Sequence, residues 1–165
     1  MKPALLVIDV QREFYNNGPT TGPSLERAIE VINRAITLFR ERSLPVVCVQ
    51  NMEIAKNFVP GADGFDLPEH LSMLPSDLHI YKTYKNSFCK TTLEVDLRRL
   101  GIDTVIITGY CAEHCVLSTY RGADDLDLTP ILLRGGIAGD IPENIRFVEN
   151  INDLISFGAL KKALG

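Results

Sequence analysis

Ala4-Leu5-Leu6-Val7-Ile8 is an unbroken apolar run of strand length, opened by Pro3 and closed by Asp9. A run without polar alternation fits a strand buried on both faces, as in a parallel sheet covered by helices. Asn16-Asn17-Gly18-Pro19 and Gly22-Pro23 then punctuate a loop. Beyond it Leu25, Ala28, Ile29, Ile32, Ala35, Ile36 and Phe39 recur at helical spacing and form a wide apolar stripe. Ser24 is placed to cap that helix, Glu26 falls in its first turn, and Pro45 ends the pattern. Val46-Val47-Cys48-Val49 predicts the second buried strand.

From Asn51 to Asp77 the periodicity lapses, with Pro60, Gly61, Gly64, Pro68 and Pro75 along the way. A long irregular stretch inside a compact domain reads as a functional loop or lid. His79-Ile80-Tyr81 forms a short third strand leading to Lys82, and Thr91-Thr92-Leu93-Glu94 has the pattern of a capping box. Leu93, Leu97 and Leu100 make the inward stripe of the helix it opens. Thr104-Val105-Ile106-Ile107-Thr108 is the next strand; after Gly109 and a tight turn, Cys115 stands where Val116, Leu117 and Thr119 begin a helical pattern. Ile131-Leu132-Leu133 is a further strand, and Gly135-Gly136 after it reads as a plain turn, since no phosphate-binding fingerprint surrounds it. Ile145-Arg146-Phe147-Val148 reads as a last strand, with Asn152 capping a final helix to Leu164.

Strands alternating with helices predict a three-layer α/β/α fold around a mainly parallel sheet. A chain of 165 residues is most simply one domain with a real core. A net charge of -4 and the lack of Lys/Arg runs argue against nucleic acid or an anionic membrane as partner. No apolar run approaches a membrane span, and MKPALLVIDVQ is interrupted by Asp9 too soon for a signal peptide. Four cysteines are too few for a disulfide scaffold of this length, which points to reduced thiols and a cytoplasmic protein.

In open parallel sheets, ligands bind beyond the carboxyl ends of the strands. Asp9 and Cys115 both fall at such ends, and Lys82 follows a third. A thiol at a helix N-terminus can have its pKa drawn below the free value of about 8.5, giving more thiolate. A Cys nucleophile needs a proton acceptor and a positive charge, which Asp9 and Lys82 can supply. Taken singly, each has a plainer reading: a buried structural Cys, a carboxylate capping a loop, a solvated lysine. Their joint placement favours the site. Cys111 and Cys115 with His114 also raise a metal or redox motif, but the C-x-x-x-C spacing matches neither zinc nor thioredoxin-like patterns.

The ordered segments VIDVQREF (7–14), KTYKNSF (82–88) followed by Thr92-Leu93, and GYCAEHCV (109–116) resemble the isochorismatase-like cysteine hydrolases, which include the nicotinamidases. The resemblance implies a six-stranded parallel sheet flanked by helices and a catalytic triad of Asp9, Lys82 and Cys115. It also implies a cis Tyr110–Cys111 peptide, with the N–H groups of Cys111 and Cys115 forming an oxyanion hole. Phe14, Phe88 and Tyr110 are the substrate-binding positions it suggests, and the family's habit of pairing subunits implies a homo-oligomer, a dimer or larger. The implied activity is cleavage of a small amide C–N bond through a thioester, without a cofactor. Alternatives are a metal-dependent nicotinamidase or pyrazinamidase, and a catalytically silent binding member of the fold.

The departures bear on substrate. Many nicotinamidases place an Asp-x-His pair after the second strand to hold a divalent metal; the matching positions here are Asn51 and Glu53, with His70 the remaining histidine. That is a weak zinc set, so no metal is expected and a small amide or carbamoyl compound other than nicotinamide is favoured. The family Ser-Ala-Phe is Asn86-Ser87-Phe88, and a Thr usual in the cysteine turn is Ala112. Isochorismatases proper lack the nucleophilic Cys. The segment between Gly139 and Ile145 is also shorter than the family's usual helix there.

Overall fold

The computed structural model describes residues 1–165. Six strands, β1 (Pro3–Ile8), β2 (Val46–Asn51), β3 (Leu78–Lys82), β4 (Thr104–Tyr110), β5 (Thr129–Ala138) and β6 (Leu154–Ile155), form one sheet in the order β3-β2-β1-β4-β5-β6. Every neighbouring pair is parallel. Five helices, α1 (Thr21–Glu41), α2 (Leu93–Arg99), α3 (Leu117–Asp125), α4 (Pro142–Asn150) and α5 (Phe157–Leu164), cover both faces. None is long and apolar enough to cross a membrane. The fold is the expected three-layer α/β.

Strand alternation divides the core. Leu5 and Val7 of β1 face α1 and α5, packing with Leu25, Ile29, Ile32, Ile36, Phe39 and Leu160. Leu6 and Ile8 face the other layer, with Leu93 and Leu97 of α2, Tyr120 and Ala123 of α3, and Val148 of α4. Burying each large aliphatic or aromatic side chain contributes about 1.5–3 kcal/mol, so the stripe of α1 outweighs any detail of its capping.

That capping differs from expectation. Helix α1 begins at Thr21, before Gly22-Pro23, because a proline in the first turn lacks only an N–H that would have had no helical partner. Asp140 holds this end from the far side of the chain, with Oδ1 3.0 Å from Thr20 Oγ1 and 3.2 Å from Thr21 Oγ1. Ser24 is no cap; its buried hydroxyl accepts from the Gly139 N–H.

Further corrections fall in the second half. Residues 145–148 lie in helix α4, not in a strand; Pro142 starts it and only Val148 is buried. The short connector after Gly139 therefore leads directly into a helix. Gly135-Gly136 does not end the strand: β5 runs on to Ala138, with a register shift against β4 between Ile107 and Gly109. Ser156, not Asn152, caps α5, accepting from the Ala159 N–H. At α2 the Thr91 hydroxyl accepts from the Leu93 N–H, Glu94 instead pairs with Arg98, and Leu100 is 43% exposed.

Candidate active site

The chain order reverses between β1 and β4, its first and fourth strands, which are neighbours in the sheet. At such a switch point the connections diverge and leave a crevice at the strand C-termini. Asp9 follows β1 directly. It leaves the ladder at φ 53, a left-handed conformation that a short Asp side chain tolerates better than most, while its N–H still donates to the Val49 carbonyl at 2.8 Å. Gly109 lies opposite Ile8 at φ 114, and a Cβ there would stand 2.0 Å from the Ile8 carbonyl oxygen. Only glycine lets β4 approach β1 this closely.

Lys82 ends β3, paired with Asn51 across the ladder. Far from being solvated, it is 1% exposed, as is Asp9. Its Nζ lies 2.8 Å from Asp9 Oδ2, 3.4 Å from Cys115 Sγ and 3.1 Å from the Tyr84 carbonyl. An ammonium has three donors, and all three are used. Asp9 Oδ1, though buried, has no hydrogen-bond partner.

Cys115 sits in a π-turn, Ala112–Val116, that leads into α3. The Tyr110–Cys111 peptide is cis, as the resemblance implied. The Cys111 carbonyl accepts from the N–H groups of His114 and Val116, both at 3.1 Å, whereas its own N–H donates to no protein group. The Cys111 thiol donates to Glu113 Oε2 at 3.1 Å, and Asn144 of α4 donates to Glu113 Oε1 at 2.9 Å. The two cysteines therefore serve different partners, and His114 is exposed, so the metal or redox motif does not assemble.

Proton affinities run against one expectation. Burial pushes the Cys115 thiol up to about 12, the Asp9 charge adds to this, and Lys82 only partly offsets it. The helix-mouth effect fades within the first turn, whereas desolvation acts on the whole side chain. Burial also raises Asp9 above the ordinary carboxylate value, against the pull of Lys82. Cys111 is likewise pushed up to about 12, by burial and then by Glu113. Cys115 therefore rests as a neutral thiol beside the Asp9–Lys82 pair.

The expected pocket residues divide between the two faces of the sheet. Phe14, on a short 3-10 turn (Arg12–Asn16), stacks on Tyr110 with ring centroids 5.2 Å apart, and Asn17 donates to the Tyr110 hydroxyl. Phe88 packs with Cys115 against the other core cluster. Its segment is fixed by a Ser87–Thr119 hydroxyl pair at 2.8 Å and by Asn86 Oδ1 accepting from the Phe88 N–H. A cleft of about 710 Å³ opens beside Phe14, lined also by Asn17, Asn51, Glu53 and Phe58.

The sequence reading missed Phe58 and Gln11. Phe58 rides a small flap in which Glu53 and Phe58 exchange backbone hydrogen bonds, and its ring lies 6.0 Å from that of Phe14. Gln11 is fully buried; its amide joins Asn51 at the end of β2 to the Phe65 carbonyl of the loop. A polar residue closing the apolar V-I-D-V-Q run was the signal available for it.

The metal positions implied for nicotinamidases do not form a set. Glu53 is 2.9 Å from Lys56, and His70 pairs instead with Glu26 of α1 at 3.0 Å, in a different depression from the one Asn51 and Glu53 line. A neutral amide, a lysine-paired carboxylate and a distant imidazole do not fit a divalent ion.

Comparison with known proteins agrees with the geometry. The isochorismatase domain profile matches residues 3–144. An uncharacterized isochorismatase family protein of Bacillus subtilis (strain 168) is 31% identical over 126 residues, covering 74% of this chain and 70% of that protein. The crystal structure of an isochorismatase-like hydrolase from Alkaliphilus metalliredigens superposes with a TM-score of 0.90 at 26% identity, covering 100% of both chains. N-carbamoylsarcosine amidase from Thermoplasma acidophilum superposes with a TM-score of 0.80 at 27% identity, covering 94% of this chain and 95% of that one. With the domain profile spanning β1 through the start of α4 and the same sheet in solved members, the chain belongs to the isochorismatase family.

Proposed function

We propose that the chain is a cysteine-dependent hydrolase that cleaves the C–N bond of a small amide through a thioester on Cys115. One observation carries this reading: Lys82 Nζ lies 2.8 Å from Asp9 Oδ2 and 3.4 Å from Cys115 Sγ, inside a buried site at the strand C-termini. A buried ion pair against a thiol is costly to maintain and has a clear chemical use.

Because the thiol is neutral at rest, its proton moves to Asp9 as sulfur attacks the amide carbon, not beforehand. The C–S bond forms and the carbonyl electron pair moves onto oxygen. The N–H groups of Cys111 and Cys115 receive that oxyanion, a role for which one well-placed donor supplies about 2.7–4 kcal/mol. Asp9 then returns its proton to nitrogen, the C–N bond breaks, and ammonia or an amine leaves. Water attacks the thioester with Asp9 as base, the C–S bond breaks, and the carboxylic acid departs with the thiol restored. Lys82 keeps its charge throughout and offsets the negative charge as it passes between Asp9 and sulfur. The upward shift of Asp9 by burial suits this double role, since it makes the carboxylate a better proton acceptor.

The substrate is a small amide or carbamoyl compound, in keeping with the N-carbamoylsarcosine amidase among the similar structures. Phe14, stacked on Tyr110, borders the cleft that would receive it, and no step passes through a metal. The test is a panel of small primary amides assayed for ammonia release. Cys115→Ala, Asp9→Asn and Lys82→Ala should each lower turnover about a thousandfold or more, and a double variant should lose little beyond its worse single. Undiminished turnover in Cys115→Ala would overturn the mechanism.

A further inference from the structure

The cleft beside Phe14 has a charge character that the triad chemistry does not require. Its lining carries three carboxylates, Glu13, Glu53 and Asp63, against one cation, Lys56. Lys56 is already engaged by Glu53 at 2.9 Å, and the nearby Arg12 by Asp66 at 3.6 Å. Glu13 and Asp63 have no such partner, and they stand together on one rim. The Glu13 N–H donates to the Gly64 carbonyl at 2.9 Å, and Glu13 Oε2 lies 2.6 Å from where a Gly64 Cβ would stand. Gly64, at φ +74, both adopts that turn and leaves room for the carboxylate next to Asp63.

The cleft is lined also by the rings of Phe14 and Phe58, set edge to face 6.0 Å apart. Ring faces attract cations, and carboxylates do so more strongly. The cleft adjoins the candidate catalytic edge through Asn51, which lines it and is also the ladder partner of Lys82. At that edge Asp9 Oδ1 is buried without a hydrogen-bond partner. A carboxylate-bearing amide would meet two unpaired like charges and no free cation.

We infer that this cleft selects amides carrying an ammonium group remote from the scissile bond, and disfavours amides carrying a carboxylate. The inference deepens the amidase reading and rests on it for the identity of the scissile group, but it can fail separately. It also separates this chain from N-carbamoylsarcosine amidase, whose named substrate bears a carboxylate.

The experiment uses three amides of matched length: 4-aminobutanamide, its neutral counterpart pentanamide, and succinamate. Each is measured for ammonia release by the wild-type protein, and for equilibrium binding to the Cys115→Ala variant. The expected order in both is ammonium, then neutral, then carboxylate, with at least about tenfold between the extremes at low salt. Raising salt should narrow the gap, since screening of exposed charges acts over about 10 Å at 0.1 M. Glu13→Gln with Asp63→Asn should abolish the preference, while Glu13→Asp with Asp63→Glu should retain it. Equal treatment of ammonium and carboxylate amides, or a preference that survives the neutral double variant, overturns the inference while leaving the amidase reading intact. Preferential ammonium binding lost in the neutral variant, with no amide hydrolysed, would sustain the cleft's selectivity and refute the amidase reading.

Discussion

Alkylation of Cys115 by iodoacetamide, followed residue by residue through peptide mass mapping, measures the balance that burial sets at the site. Only the thiolate reacts, so the rate at each pH reports the ionised fraction. The thiol's ordinary value of 9.0 is pushed up to about 12. Three pH units correspond to about a thousandfold less thiolate at pH 8 than in the unfolded chain. Restricted access alone would lower the rate uniformly and leave the profile's midpoint near 9. The desolvation account instead requires the rate to climb about tenfold per pH unit from 8 to 11 without levelling. The neighbours should shift it in opposite directions. Asp9→Asn removes a charge that raises the thiol's pKa and should speed reaction at any given pH, whereas Lys82→Met removes the opposing charge and should slow it. A plateau at or below pH 9 in the wild type, or the reverse ordering of the two variants, would refute the neutral resting thiol. It would also restore the helix-mouth effect as the dominant influence.

Three further outcomes are expected. Lys82→Met leaves the Asp9 carboxylate buried without its counter-ion and should cost about 3–5 kcal/mol at neutral pH by urea unfolding. Asp9 is raised above 3.8, so its contribution to stability is greatest below that value and is lost as pH rises through its folded value. The deficit of the variant should therefore shrink between pH 7.5 and 4.5, and an equal deficit at both would show that Asp9 is not the cause. Gly109→Ala, with a Cβ 2.0 Å from the Ile8 carbonyl at φ +114, should destabilise by about 3 kcal/mol or more; a loss below 1 kcal/mol would mean the strands can part without cost. Ammonia release should be indifferent to EDTA and nicotinamide a poor substrate; nicotinamide turnover abolished by EDTA and restored by zinc would show that Asn51, Glu53 and His70 come together after all.

Strands β1 and β4, which place Asp9 and the turn to Cys115, were legible because they are buried on both faces and so carry long apolar runs. Val7-Ile8-Asp9 announces the end of β1 by where the apolar residues stop, whereas β4 runs two residues past Thr108, through Gly109 to Tyr110. The same rule misled at Ile145–Val148, an apolar stretch of strand length that lies on a helix with one buried residue. Pro142 and Glu143 just before it are a helix start, and should have outweighed the β-propensity of the run. Strand β6, two residues long, offers no periodicity to detect. The start of α1 depends on Asp140, more than a hundred residues away, and His70 proved to belong to Glu26, so neither was available to local pattern. Phe58 escaped notice because its position comes from the backbone pairing of the flap with Glu53, inside a stretch without periodic pattern.

The three candidate catalytic side chains do not share equal footing in the sheet. Asp9 is anchored by β1, which has partners on both sides, whereas Lys82 belongs to β3, an outermost strand paired only with β2. Outer strands open at lower free energy than central ones. When β3 frays, its ammonium leaves with it, and Asp9 and Cys115 lose their shared cation while the rest of the sheet stays closed. The proposed chemistry therefore depends on an outer strand of the scaffold. Along a gentle denaturant ramp, loss of the proposed turnover should precede loss of helix signal, and a ligand that grips β2 and β3 together would act as a clasp, widening the range over which the three side chains stay assembled.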